Sequence, residues 1–217
     1  GGAAGQAKRW AALAERVRNA IVTLYGQRSH EIGLSDCLHA GPGTPAGSAT
    51  ADDALRPNQL LAVTLGAVCE PPLARRIIRV CQALVVPGAI RSLADRYLAH
   101  PLSIVHQGHD LVDPHRPYQG RYAGDEDTRR KPAYHNGTAW TWAFPSFCEA
   151  WAAGFPQDGR QTALAYLASG VRLLETGCVG HMPEILDGDA PHRSRGCDAQ
   201  AWGASECYRV WKKLSGA

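Results

Sequence analysis

The chain holds a single methionine, Met182, and begins at Gly1, so it reads as part of a longer protein. Its first nine residues lack the apolar core of a signal peptide. No stretch approaches the roughly 18 uncharged apolar residues that a membrane helix needs. Neither charge sign is in large excess: 23 Lys and Arg stand against 20 Asp and Glu, for a net charge of +3. The two are interspersed and form no basic stripe to grip phosphates, so nucleic acid is not an expected partner. A Cys-x-x-Cys knuckle, a Gly-x-Ser-x-Gly elbow and a His-Glu-x-x-His helix are all missing, which removes the common signatures of zinc ribbons, serine hydrolases and zinc proteases. The seven cysteines are odd in number and scattered mostly among apolar neighbours. They read as reduced core thiols of a cytoplasmic protein, not as a disulfide framework.

What is present is a composition of 45% hydrophobic and 20% charged residues over 217 positions, enough for one globular domain with a core. Helical periodicity dominates. Trp10, Leu13, Val17, Ile21 and Leu24 recur at three- and four-residue steps, which predicts a helix over about 8–25 with one buried side. The same spacing links Ile77, Ile78, Cys81, Leu84 and Val85, and again Leu164, Leu167, Ala168, Val171 and Leu174. Pro87-Gly88 is expected to end the first of these helices and Gly177 the second. A closing helix is expected behind Asp198 as N-cap, carrying Trp202, Cys207, Val210, Trp211 and Leu214. Shorter helices are expected at 57–68 and 138–154. With no regularly spaced β-branched runs, the expected class is all-α.

Long polar connections separate these helices, at 40–53, 95–133 and 177–198. Loops of such length in a compact domain are either functional or disordered. The first contains Gly41-Pro42-Gly43, a weak phosphate signal because no strand precedes it. Around the end of the second lie Tyr118, Tyr122, Tyr134, His135, Asn136, Trp140 and Trp142, with Arg121, Arg129 and Arg130. Aromatic rings beside hydrogen-bonding groups suit a sugar, which offers an apolar C–H face to stack and hydroxyls to bond. The same residues also read as tryptophan core beneath a solvated loop. The third connection carries His181, Glu184, Asp187, Asp189 and His192 just ahead of Trp202. That is a candidate acid/base site, or else a solvated acidic turn. Cys178, His181, His192 and Cys197 have the local spacing of zinc ligands, although a domain of this size needs no metal to fold.

Four segments carry a resemblance to a known family. LRPNQLLAVTL (55–65), GAIRSLA (88–94), PYQGRYAGDEDTRRKPAYHNGTAWTW (117–142) and GHMPEILDGDAPHRSRGCDAQAW (180–202) resemble, in the same order, the C-terminal glucosidase domain of glycogen debranching enzymes, the amylo-α-1,6-glucosidase family. The resemblance runs from about Asp52 to Val210. It implies an (α/α)6 barrel, a six-hairpin toroid whose long loops at one end build the sugar pocket. Residues 1–217 would then be the C-terminal portion, roughly half, of a single glucosidase domain. The implied activity is removal of the single glucose left on an α-1,6 branch stub of glycogen or a related α-glucan, with inversion and without a cofactor.

Inverting glycosidases use a carboxylic acid and a carboxylate about 6.5–9.5 Å apart, one protonating the leaving oxygen and the other deprotonating water on the opposite face. By resemblance, Glu184 takes the place of the general base. The acid is expected in a Trp-Met-Asp motif upstream of the helix at 8–25, and the chain has no such motif. The resemblance therefore implies that the chain alone is inactive or nearly so, and that its partner is the missing N-terminal part of its own parent chain. It further implies that Arg56, Asn58, Tyr134, His135, Trp140, Trp142 and Asp187 line the glucose site, with Gln200 and Trp202 beside Glu184. Gly137 and Gly188 would permit tight turns that present their neighbours. Lys131-Pro132 stands where the family often has an acidic residue. The alternative is a non-catalytic carbohydrate-binding or regulatory half-barrel.

Overall fold

A computed structural model describes residues 2–26 and 29–216. The chain opens with α1 (Gly2–Ala20), which continues into a π-helical turn at Ile21–Tyr25. After α2 (Ser29–Ile32) comes a hairpin of β1 (Leu38–His39) and β2 (Thr50–Ala51), whose exposed connection contains Gly41-Pro42-Gly43. Helices α3 (Gln59–Thr64) and α4 (Pro71–Gln82) precede strands β3 (Val85–Val86) and β4 (Ala89–Arg91). The long central connection holds a second hairpin, β5 (Val105–His106) with β6 (His109–Asp110). A π-helical turn at Glu126–Arg130 then leads into α5 (Lys131–His135) and β7 (Ala139–Trp140). The last third comprises α6 (Phe144–Gly154), α7 (Gly159–Val171), β8 (Ile185–Leu186), β9 (Ser194–Arg195) and α8 (Ala201–Ser215).

The core forms around α6. Phe144, Phe147, Cys148 and Ala150 are all buried there, a helix apolar on nearly every side, which takes a central place with α3, α4, α7 and α8 around it. Helix α4 turns Ala74, Ile77, Ile78 and Cys81 inward at i, i+3, i+4 and i+7, as its spacing predicts. Helices α7 and α8 add Ala163, Leu167, Val210 and Leu214. All seven cysteines are free. Burial pushes the Cys81 and Cys148 thiols up, and that of Cys207 up to about 11, so these three act as small apolar side chains.

The chain is mainly helical, as expected, but it also contains a five-stranded antiparallel sheet ordered β3-β4-β7-β8-β9. Its strands have two or three residues each, too few to leave an alternating pattern in the sequence. Pro87-Gly88, expected to end a helix, forms the β3–β4 turn, and α4 stops earlier at Gln82. The expected helix at 138–154 divides into β7 and α6. Val85 and Ile90 join the main core, while Val86, Ala89, Ala139 and Leu186 make a smaller cluster with Leu173. Helix α8 starts behind Gln200, two residues later than the Asp198 cap predicts.

One expectation fails outright. The apolar stripe of α1 has no buried side: Trp10 is 66% exposed, and Leu13 and Val17 are exposed as well. Only at the following turn do Ile21 and Tyr25 reach the core. Periodicity reports that a helix has a face to cover, and does not say what covers it. None of the helices among the described residues is long and apolar enough to cross a membrane.

Candidate active site

Glu184 stands immediately before β8, where the backbone extends the sheet ladder by two bonds. Glu184 N donates to Cys197 O (2.8 Å), and Thr141 N donates to Glu184 O (3.3 Å). The residue is thus fixed between the segments that follow β7 and β9. Its carboxylate lines an open pocket of about 710 Å³, together with Tyr122, Arg130, Arg195, Cys197 and Asp198. Tyr134 Oη donates to Glu184 Oε1, and Cys197 N donates to Oε2 at 3.0 Å. Burial first, and then the adjoining Glu184, raise the Tyr134 phenol above its ordinary value, so it stays a donor at neutral pH.

The aromatic residues of 134–142 meet those of α8. Tyr134 lies edge-on to Trp140 (4.6 Å) and His135 (5.0 Å), and His135 stacks on Trp140 (5.5 Å). Trp142 stacks on Trp202 at 5.2 Å and 26°, and Trp140 meets Trp202 edge-on at 6.0 Å. Trp140 is buried and its Nε1 donates to Tyr134 O (3.0 Å), whereas Trp202 is 42% exposed. Burial, followed by the Arg56 charge, holds His135 below its ordinary pKa, so its ring is neutral at pH 7. Gln200 caps α8 with its backbone N on Met182 O (2.8 Å). Glu184, Tyr134, His135, Trp140, Trp142 and Trp202 are therefore one connected group, drawn from positions almost 70 residues apart.

Arg56, Asn58 and Asp187 stand differently. Arg56 Nη1 donates to Ser92 O (3.0 Å) and to His135 O, its Nη2 to Asn136 Oδ1 (2.8 Å), and its Nε faces Asp36 Oδ2 (3.3 Å). Asn58 Nδ2 donates to Asp36 Oδ1 (2.7 Å). Both line a smaller pocket of about 260 Å³ with Asp36 and Tyr25, away from the lining of the Glu184 pocket. Asp187 is 4% exposed; Arg195 Nε reaches both its oxygens at 3.1 Å and Tyr122 N donates to Oδ1 (2.9 Å). These three hold loops in place. Gly188 serves close approach and not a turn: a Cβ there would collide with Gly137 O, where the 137 and 188 backbones touch.

Several other carboxylates of the loops are engaged elsewhere. Asp189 accepts from Tyr118 Oη (2.9 Å), Asp125 caps its turn through Thr128 N (2.9 Å), Asp127 pairs with Lys131 (2.6 Å), Glu126 with Arg130 (3.6 Å), and Asp113 accepts from His115 N (2.9 Å). Cys178 Sγ lies 3.6 Å from His181 Nδ1, but among the described residues no three His, Cys, Asp or Glu side chains are grouped to hold a metal. Sequence reasoning overlooked the Cys197 N–H and the Gly196 turn that delivers it; a glycine shortly ahead of the closing helix was the available signal. A second groove of about 540 Å³ between α7 and α8, lined by Leu164, Val171, Met182, Tyr208 and Trp211 among others, offers apolar surface and no acid/base pair.

The helical scaffold thus presents a loop-borne carboxylate in an open polar pocket, joined through Tyr134 and Trp140 to a stacked tryptophan pair. The sequence profile of the amylo-alpha-1,6-glucosidase family matches residues 2–209, and the chain belongs to that family. No curated protein matches the chain.

Proposed function

We propose that this chain is the C-terminal part of an (α/α)6 glucosidase domain that releases α-1,6-linked glucose from branch stubs of glycogen or a related α-glucan in the cytoplasm, with Glu184 as the general base. The observation that carries this reading is the Glu184 carboxylate, held by two donors in the wall of an open pocket and joined through Tyr134 and Trp140 to the Trp142–Trp202 stack. Membership of the amylo-alpha-1,6-glucosidase family points to the linkage. Arg130 also lines this pocket, its guanidinium paired with Glu126 (3.6 Å).

In this mechanism Glu184 takes a proton from a water molecule as the water oxygen bonds to C1 of the terminal glucose. The C1–O6 bond breaks, and a carboxylic acid on the opposite face gives its proton to O6 of the departing glucan. Glucose leaves as the β-anomer. By the family resemblance, we assign the acid to a Trp-Met-Asp motif that residues 1–217 do not contain. Asp187, Asp189, Asp125, Asp127 and Asp113 are tied to other groups, as described above. Asp198 lines the pocket together with Glu184.

The test is Glu184→Gln in the full-length protein, assayed for glucose released from a singly branched dextrin. Turnover should be abolished, with dextrin binding by calorimetry retained and the wild-type product appearing as the β-anomer by NMR. More than a few per cent residual turnover would place the base elsewhere. Binding by the wild type without any release would favour a carbohydrate-binding role.

A further inference from the structure

Glu184 is gripped from both sides by groups that are themselves immobilised. On the Oε1 side is the Tyr134 hydroxyl. Its ring is enclosed by Tyr122 (5.6 Å, tilted), His135 and Trp140, and the Tyr134 carbonyl accepts from both Thr138 Oγ1 (2.7 Å) and Trp140 Nε1. On the Oε2 side is Cys197 N, delivered by Gly196 in the left-handed region at φ +69°. A Cβ at Gly196 would collide with Glu184 Oε2, so only glycine lets this N–H come so close. The Tyr134 hydroxyl is committed to the carboxylate, and its half-buried ring packs against those of Tyr122, His135 and Trp140.

We propose that Tyr134 is a positioning residue that acts on the reaction only through Glu184, fixing the carboxylate rotamer so that one lone pair stays directed at the attacking water. This rests on the base assignment above. A hydrogen bond to a charged group contributes about 1.5–3 kcal/mol, which corresponds to roughly 10- to 150-fold in rate when it is realised in the transition state. The geometry supplies the donor without a conformational search. Trp142 and Trp202 remain as the stacking surface, while the Tyr134 ring meets Tyr122, His135 and Trp140.

A double-mutant cycle tests this in the full-length protein, using Tyr134→Phe, Glu184→Ala and the double variant on a singly branched dextrin. Azide serves as external nucleophile for the Glu184→Ala background. Its nitrogen bonds to C1 as the C1–O6 bond breaks, giving β-glucosyl azide with no proton for a base to remove, while the acid still protonates O6. In the Glu184 background Tyr134→Phe should lower kcat about 10- to 100-fold, with KM within about twofold of wild type. In the azide-rescued Glu184→Ala background the same change should alter the rate by less than about twofold, because the group being positioned is gone. Equal losses in both backgrounds, a raised KM at unchanged kcat, or no loss in either would overturn the positioning role. Wild-type turnover in Glu184→Ala without azide would instead overturn the base assignment, a result distinguishable from additive losses.

Discussion

Arg56 gathers three segments of chain through one guanidinium: the Asp36 loop, the carbonyl of Ser92, and residues 135–136 through the His135 carbonyl and the Asn136 side chain. A planar fork with donors on three nitrogens can meet acceptors in several directions, and a lysine ammonium at the end of a flexible stem cannot reach them together. Burial lowers the Arg56 pKa, opposed by the nearby Asp36 and Asp52 carboxylates. Arg56→Lys is therefore expected to cost about 2 kcal/mol and to lower Tm by roughly 4–8 °C by calorimetry. An unchanged Tm would deny the residue its structural role. The family resemblance implied that Arg56 lines the sugar site. That its donors all go to the protein could not be read from the motif, because Ser92, His135 and Asn136 become its neighbours only when loops 36–80 residues away close over it.

At the scale of elements, α6 and α8 are tied by one buried carboxylate. Glu149, 6% exposed on α6, accepts from Arg209 Nη2 and Lys213 Nζ on α8, each at 2.6 Å. Burial alone would raise its pKa, but the two cations outweigh it and hold it below the ordinary carboxylate value. A carboxylate depressed in the native state stabilises the fold above its unfolded pKa, about 4.3, and loses that contribution as the pH falls through the native value. Glu149→Gln should thus lower stability by about 1–3 kcal/mol near neutrality, the deficit shrinking as the pH falls below about 4. Thermal melts of both proteins across pH 3–7 check this, and a pH-independent difference would show that packing, not charge, links the helices. Most helices here were readable from apolar spacing, since each has a face that must be covered. The sheet was not: two-residue strands such as β7 and β8 owe their existence to partners brought in by the helices they adjoin.

At the scale of the whole molecule, large apolar side chains stand exposed at several places among the described residues, two of them on long helices. Trp10, Leu13 and Val17 form one exposed stripe on α1, and Val171, Tyr208 and Trp211 border the groove between α7 and α8. Surfaces of this kind promote association when nothing else covers them. The 217-residue chain is expected to self-associate with rising concentration in sedimentation experiments, and combined Leu13→Lys and Trp211→Lys changes should shift it toward monomer. A wild-type chain that stays monomeric at high concentration would contradict this.

The sequence by itself determined that the chain is helical, that its polar loops gather aromatic and acidic residues, and that four ordered motifs ally it with a glucosidase family. Those properties are local or are carried by short ordered strings, so they survive without coordinates. Only the tertiary structure decided which acidic groups were left available. Asp187, three residues from Glu184, is buried under Arg195, while Glu184 reaches an open pocket in the grip of Tyr134 and Cys197. The physical reason is that a carboxylate's role depends on the donors that reach it, and those donors arrive from distant segments when the chain folds.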